Sequence, residues 1–179
     1  MEIYKLKWTR LQNEIFRLLC IKVGESLNQR AISKILKVSP TAIAKSLGEL
    51  EKNKLINIKR DSMMNLSLIE LNRDGKRITE LKRVENLKMI YESGVVDFLE
   101  EKFPGSTIIL FGSYSFGEDT IKSDIDLAVV GCKEKKINIE KFEKILEREI
   151  RINFYGNFNE INKNLRSNIF NGIILVGRI

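Results

Sequence analysis

The chain has 179 residues, enough for one ordinary domain or two small ones. Hydrophobic residues make up 43% and charged residues 31%, the balance of a globular protein, and no apolar run is long enough for a membrane span. The net charge is +7 and histidine is absent, which excludes His-based triads, imidazole acid–base chemistry and zinc deaminase sites.

Any metal must then be held by oxygen ligands, which favours magnesium or manganese. The opening MEIYKLKWTR lacks the apolar core of a signal peptide, so a cytoplasmic protein is expected. Cys20 and Cys132 both follow apolar stretches, form no CxxC pair, and read as small buried thiols. The basic excess is uneven. Residues 1–75 carry 14 Lys and Arg against 8 Asp and Glu, whereas the rest is close to balance. Such a bias points to a polyanionic partner for the first segment.

Between Trp8 and Val23, Leu11, Ile15, Leu18, Leu19 and Ile21 recur near helical spacing, and Gly24 ends the run. Asn28 is a good cap for a second helix that turns Ala31, Ile32, Ile35 and Leu36 inward. Ser39 caps a third, with Pro40 in the first position, where a missing N–H costs nothing. That helix shows Ile43, Leu47 and Leu50 on one face. INIKR and LSLIEL then alternate like two strands of a hairpin around Asp61-Ser62-Met63-Met64-Asn65.

The stretch RAISKILKVSPTAIAKSLGELEKNKLI resembles the winged helix-turn-helix regulators, over residues 8–73. The resemblance implies duplex DNA as a partner, with the helix from Pro40 in the major groove. Thr41, Lys45 and Ser46 would lie near base edges or phosphates, and Lys59 and Arg60 would reach the backbone from the wing. A helical domain used only for dimerisation is the alternative.

Residues 76–103 read as a helical connector. Ile78, Leu81, Val84, Leu87 and Ile90 or Tyr91 mark one face of a long helix, Ser93-Gly94 interrupts it, and Val95, Val96, Phe98, Leu99 and Phe103 continue. So apolar a face needs a surface to cover it, supplied by the flanking domains or by a second protomer in a homodimer.

The chemistry lies in TIILFGSYSFGEDTIKSDIDLAVV, residues 107–130. Thr107 to Phe111 is a continuously apolar run, a buried strand, and Leu127 to Val130 is a second. Asp124 and Asp126 are two apart, so on a strand both carboxylates point to one side, roughly 6.5–7 Å apart at the backbone. Ile125 and Leu127 point the other way. Two such carboxylates repel unless a cation lies between them. Gly112 lets a phosphate approach the backbone, and Ser113 offers N–H and hydroxyl donors.

A Gly-Ser pair, a loop, and then Ser123-Asp124-Ile125-Asp126 between strands resembles the motif of the DNA polymerase β superfamily, most closely its minimal stand-alone nucleotidyltransferases. The resemblance implies a small mixed sheet flanked by helices over residues 104–179. It makes the whole an α/β (α+β) protein with a winged helix in residues 1–75. It further implies an NTP, ATP first, as nucleotidyl donor. Gly112, Ser113 and Ser123 would bind the nucleotide, while Asp124 and Asp126 would be catalytic and hold Mg2+ or Mn2+.

The family's third carboxylate follows an aliphatic–Asp–aliphatic pattern on a later strand. Ile152-Asn153-Phe154 is the match here, so Asn153 is expected as the third metal ligand, with a neutral carbonyl for a carboxylate. Phe116 stands where many members carry an arginine. Glu149 is on the face of Asn153 but roughly 13 Å back along the strand. Glu118 and Asp119 are loop carboxylates that could approach the metals. Residues 161–179 read as a helix and a final strand.

Two functions stay open. One is a DNA-binding nucleotidyltransferase, by family analogy an antitoxin that modifies a HEPN-type partner protein. The other is a weak or inactive domain serving as sensor or partner module of a transcription regulator. An antibiotic-modifying enzyme ranks last, because the chain lacks room for an acceptor domain.

Overall fold

A computed structural model of the chain describes residues 8–61 and 66–179. They form eight α-helices and two sheets, divided between one unit ending at Ile78 and another beginning at Thr79.

In the first unit, α1 (Arg10–Ile21) opens with a reciprocal cap. The Thr9 hydroxyl accepts from the Gln12 N–H and the Gln12 side chain accepts from the Thr9 N–H. Asn28 caps α2 (Gln29–Leu36) and Ser39 caps α3 (Pro40–Lys52), with Pro40 in the first turn. Lys37, in the left-handed region at φ 55°, turns the chain between the two. Strands β2 (Ile56–Asp61) and β3 (Leu66–Leu71) pair antiparallel; the expected hairpin tip, residues 62–65, lies outside the described residues. A short strand β1 (Leu27–Asn28), not evident from the sequence, adds to β3 and gives the order β1-β3-β2. Ile15, Leu19, Ile32, Ile43, Leu50, Leu55 and Ile69 close the core. Ile35, expected inward, faces solvent. Three helices followed by a hairpin make this unit winged-helix-like.

The second unit takes in α4 (Lys76–Ser93) from Thr79 onward, and Gly94 at φ 76° bends the chain into α5 (Val95–Lys102). Strands β4 (Thr107–Phe111), β5 (Ile125–Val130), β6 (Ile150–Tyr155) and β7 (Ile173–Val176) form a sheet in the order β6-β5-β4-β7. Strand β4 runs antiparallel to β5 and β7, and β5 runs parallel to β6. Helix α6 (Gly112–Phe116) follows β4 directly, α7 (Glu140–Leu146) precedes β6, and α8 (Lys163–Phe170) precedes β7. Ile109, Phe111, Ala128 and Val130 share one face of the sheet and pack with Ile161 and Ile169. Cys20 is buried as expected, but Cys132 is only partly so.

Helix α4 buries only part of the face that its apolar spacing marks: Ile78 and Ile90 are buried and Leu81 and Leu87 half-buried, but a polar side is buried as well. Val84 is 65% exposed and Tyr91 47% exposed, whereas Lys82 and Asn86 are buried beside Met89 and Ile90. Asp119 explains this. It is buried and accepts hydrogen bonds from Lys82 Nζ and from Asn86 Nδ2 (2.7 Å). Asn86 also donates to the Tyr114 carbonyl at 2.9 Å, and the Arg148 guanidinium lies 3.8 Å from Asp119. A buried carboxylate demands partners more strongly than a valine demands cover.

Candidate functional site

Strand β4 is buried throughout and ends opposite the acid pair, Phe111 facing Asp126 across the ladder. Gly112 then takes the chain into α6 at φ 72°, and a Cβ there would stand 2.5 Å from Asp126 Oδ2. The positive φ favours glycine here, and any larger residue would also make the Asp126 carboxylate shift, before any phosphate is considered. Ser113 follows, half-buried, with its carbonyl accepting from the Glu118 N–H at 3.0 Å. Gly117 ends α6 at φ 75°, and a Cβ on it would collide with the backbone of Thr79 and Arg83 in α4. Phe116, at the position expected of an arginine, has the Arg83 guanidinium 5.8 Å from its ring.

The loop back to β5 is closed by Ser123, whose hydroxyl accepts from the Thr120 N–H at 2.9 Å. Asp124 and Asp126 follow at the start of β5, both half-buried. Burial pushes the Asp126 carboxyl above its usual range, the Asp124 charge pushes the same way, and Arg151 opposes them.

The expected third ligand is in a different place. In the parallel β5–β6 ladder Ala128 faces Asn153, and the residue facing Asp126 is Arg151. Asn153 thus sits two residues farther along the strand, roughly 6.6 Å from the row of the acid. Arg151 Nη1 lies 3.0 Å from Asp124 Oδ2, and its Nε lies 3.6 Å from Glu149 Oε1. Ile150-Arg151-Ile152 carries the same alternation as Ile152-Asn153-Phe154, and its middle residue, a cation, is the one in the row of Asp126. Neither loop carboxylate completes the set: Asp119 is buried with Lys82 and Asn86, and Glu118 is exposed.

These residues do not fit the metal centre that the motif implies. Beside the Asp124–Asp126 pair stands an arginine, which cannot ligate a cation, and the third nearby carboxylate, the exposed Glu149, is ion-paired to that arginine as Asp124 is. Among the described residues no group of three or more His, Cys, Asp or Glu is placed to hold a metal ion.

In the first unit, Thr41 and Lys45 are exposed one turn apart on α3. Ser46 is half-buried, and its hydroxyl donates to the Ala42 carbonyl at 3.0 Å. On the wing Arg60 is exposed, while Lys59 Nζ is 2.5 Å from Glu70 Oε1. That hydrogen bond is the main cause of a Glu70 carboxyl held below its usual range. Ser26 donates to the same carboxylate at 3.1 Å.

Residues 92–176 match the family model of the nucleotidyltransferase domain. Among solved structures the chain is similar to AdcR, the adhesin competence repressor of Streptococcus pyogenes. They share 20% identity over 58% of this chain and 72% of that one, with a TM-score of 0.44. It is also similar to ZitR of Lactococcus lactis in complex with DNA, at 23% identity over 55% and 64% of the two chains, TM-score 0.42. For the S. aureus MepR–DNA complex the values are 22%, 53%, 77% and 0.40. No curated protein matches the chain. The fold is a winged-helix-like unit followed by an α/β unit that takes in the residues matching the nucleotidyltransferase domain model.

Proposed function

We propose that the protein is a DNA-binding regulator whose second unit takes a nucleoside triphosphate, ATP first, where β4 gives way to α6 and β5 and β6 begin. The β4–β5 register carries this reading, because it sets Gly112 beside Asp126, with Ser113 next in the chain as a donor for phosphate. The basic excess of residues 1–75 and the exposure of Thr41, Lys45 and Arg60 support duplex DNA as the other partner. In this reading α3 enters the major groove and the wing contacts the backbone.

Both halves are tested on the full chain. Binding to a duplex should weaken steeply across a salt series, since phosphate contacts release counterions. A fluorescent ATP analogue should bind at least about tenfold more weakly to Ser113→Val, the loss of one good phosphate hydrogen bond. DNA affinity flat in salt, or analogue binding indifferent to Ser113, would overturn the corresponding half.

Nucleotidyl transfer from the same NTP is the second reading, favoured by the match of residues 92–176 and by the intact Gly-Ser and Asp-x-Asp pairs. A HEPN-type acceptor in an antitoxin-like pair is the finer form of it and rests on the resemblance alone. Label passing from the α-phosphate of ATP to a protein acceptor would establish transfer.

A further inference from the structure

We infer that the Arg151 guanidinium replaces the divalent cation as the counter-charge of the Asp124–Asp126 pair. The second unit is then a metal-independent site that does not transfer nucleotides. The inference rests on reading this sheet edge as the nucleotide site, and two observations at Arg151 carry it. One is register. In a parallel ladder, residues in one row point to the same side of the sheet, about 4.8 Å apart at the backbone, and Arg151 shares its row with Asp126. The other is contact. The same side chain bonds Asp124 at 3.0 Å, with Glu149 3.6 Å from its Nε, so a single cation serves the rows of both acids.

The charges decide what this cation does. Two neighbouring carboxylates call for a positive group, and a guanidinium meets that demand with no metal present. An aspartate at the same position would add a third ligand, whereas the arginine repels a divalent ion from the place it would occupy. The change from one to the other is two full charges, felt across a few ångströms. With 59% of its side chain exposed, Arg151 also keeps an outer side on which a phosphate can bind. Transfer loses both the metals and the carboxylate that would take the proton of an acceptor hydroxyl.

The test uses Mn2+ alone, followed by the electron paramagnetic resonance signal of the free ion, on the full chain. The natural protein should bind no Mn2+ at this pair at millimolar concentration. Arg151→Asp should bind it at least about tenfold more tightly after screening by salt, and lose it again on adding Asp124→Asn. Arg151→Gln, which keeps size and polarity, should gain Mn2+ more weakly and covers the case in which the aspartate variant fails to fold. Natural protein that binds Mn2+ and loses it on Asp124→Asn overturns the inference. So do folded Arg151 variants that gain none. In a companion titration, binding of the ATP analogue to the natural protein should be unchanged by EDTA, and a requirement for Mg2+ overturns the inference. Absence of analogue binding under every condition instead overturns the nucleotide site itself, and the Mn2+ result still decides the role of Arg151.

Discussion

Asp126 and Asp119 are both aspartates near one sheet edge, and their surroundings give them opposite energetics. Asp126 has a raised folded-state pKa, so its ionised form is costlier in the folded chain than in the unfolded one. The penalty is absent while the group is protonated in both states. It grows as pH rises past the ordinary aspartate range and is complete above the folded value. Asp126→Asn should therefore raise the melting temperature at neutral pH, and the gain should vanish on acidification to about pH 3, read by thermal melts in a pH series. Asp119 is the reverse case: removing it takes a carboxylate partner from the buried Lys82. Asp119→Ala should cost about 3–5 kcal/mol of stability in denaturant titrations, the usual result of breaking a buried pair. The sequence offered no sign of this partnership. Lys82 and Asp119 are 37 positions apart, and an i,i+4 pattern reports only neighbours on one helix.

Elements that follow from local rules were legible, and those set by distant partners were not. The caps Asn28 and Ser39, with Pro40 beside the latter, placed the starts of α2 and α3 from side-chain chemistry alone. Strands β4 and β5 were legible as apolar runs. The β6 register was not, because a shift by two residues keeps every side chain on the same face. Ile150-Arg151-Ile152 and Ile152-Asn153-Phe154 satisfy the same alternation, and only the pairing with β5 separates them. The wing carries a comparable hidden partner, since Lys59 is engaged by Glu70. A phosphate must compete with that carboxylate for the ammonium. Glu70→Gln should tighten binding to duplex DNA and steepen its salt dependence by about one phosphate contact, measured by fluorescence anisotropy. Unchanged affinity would mean that Lys59 does not face the duplex.

At the scale of the whole molecule, composition separated the halves before any element was assigned: nearly all the basic excess lies in residues 1–75, and the phosphate-type motif lies beyond them. The boundary itself was less legible. An apolar stripe on residues 76–103 suggested a connector, but α4 from Thr79 onward belongs with the second unit through its polar side. Strand β7 has a further consequence. It ends the sheet order, Ile173-Ile174-Leu175-Val176 contains no charge, and Ile174 is 42% exposed. The Tyr91 hydroxyl donates to the Leu175 carbonyl at 3.5 Å, and as the last strand of the order β7 has a side that no strand of this sheet pairs. If two copies met there antiparallel, the contact would be self-complementary and would close after one pairing, giving a single sheet through a twofold axis. A charged residue in place of Ile174 would remove the apolar match and leave each copy with its own sheet.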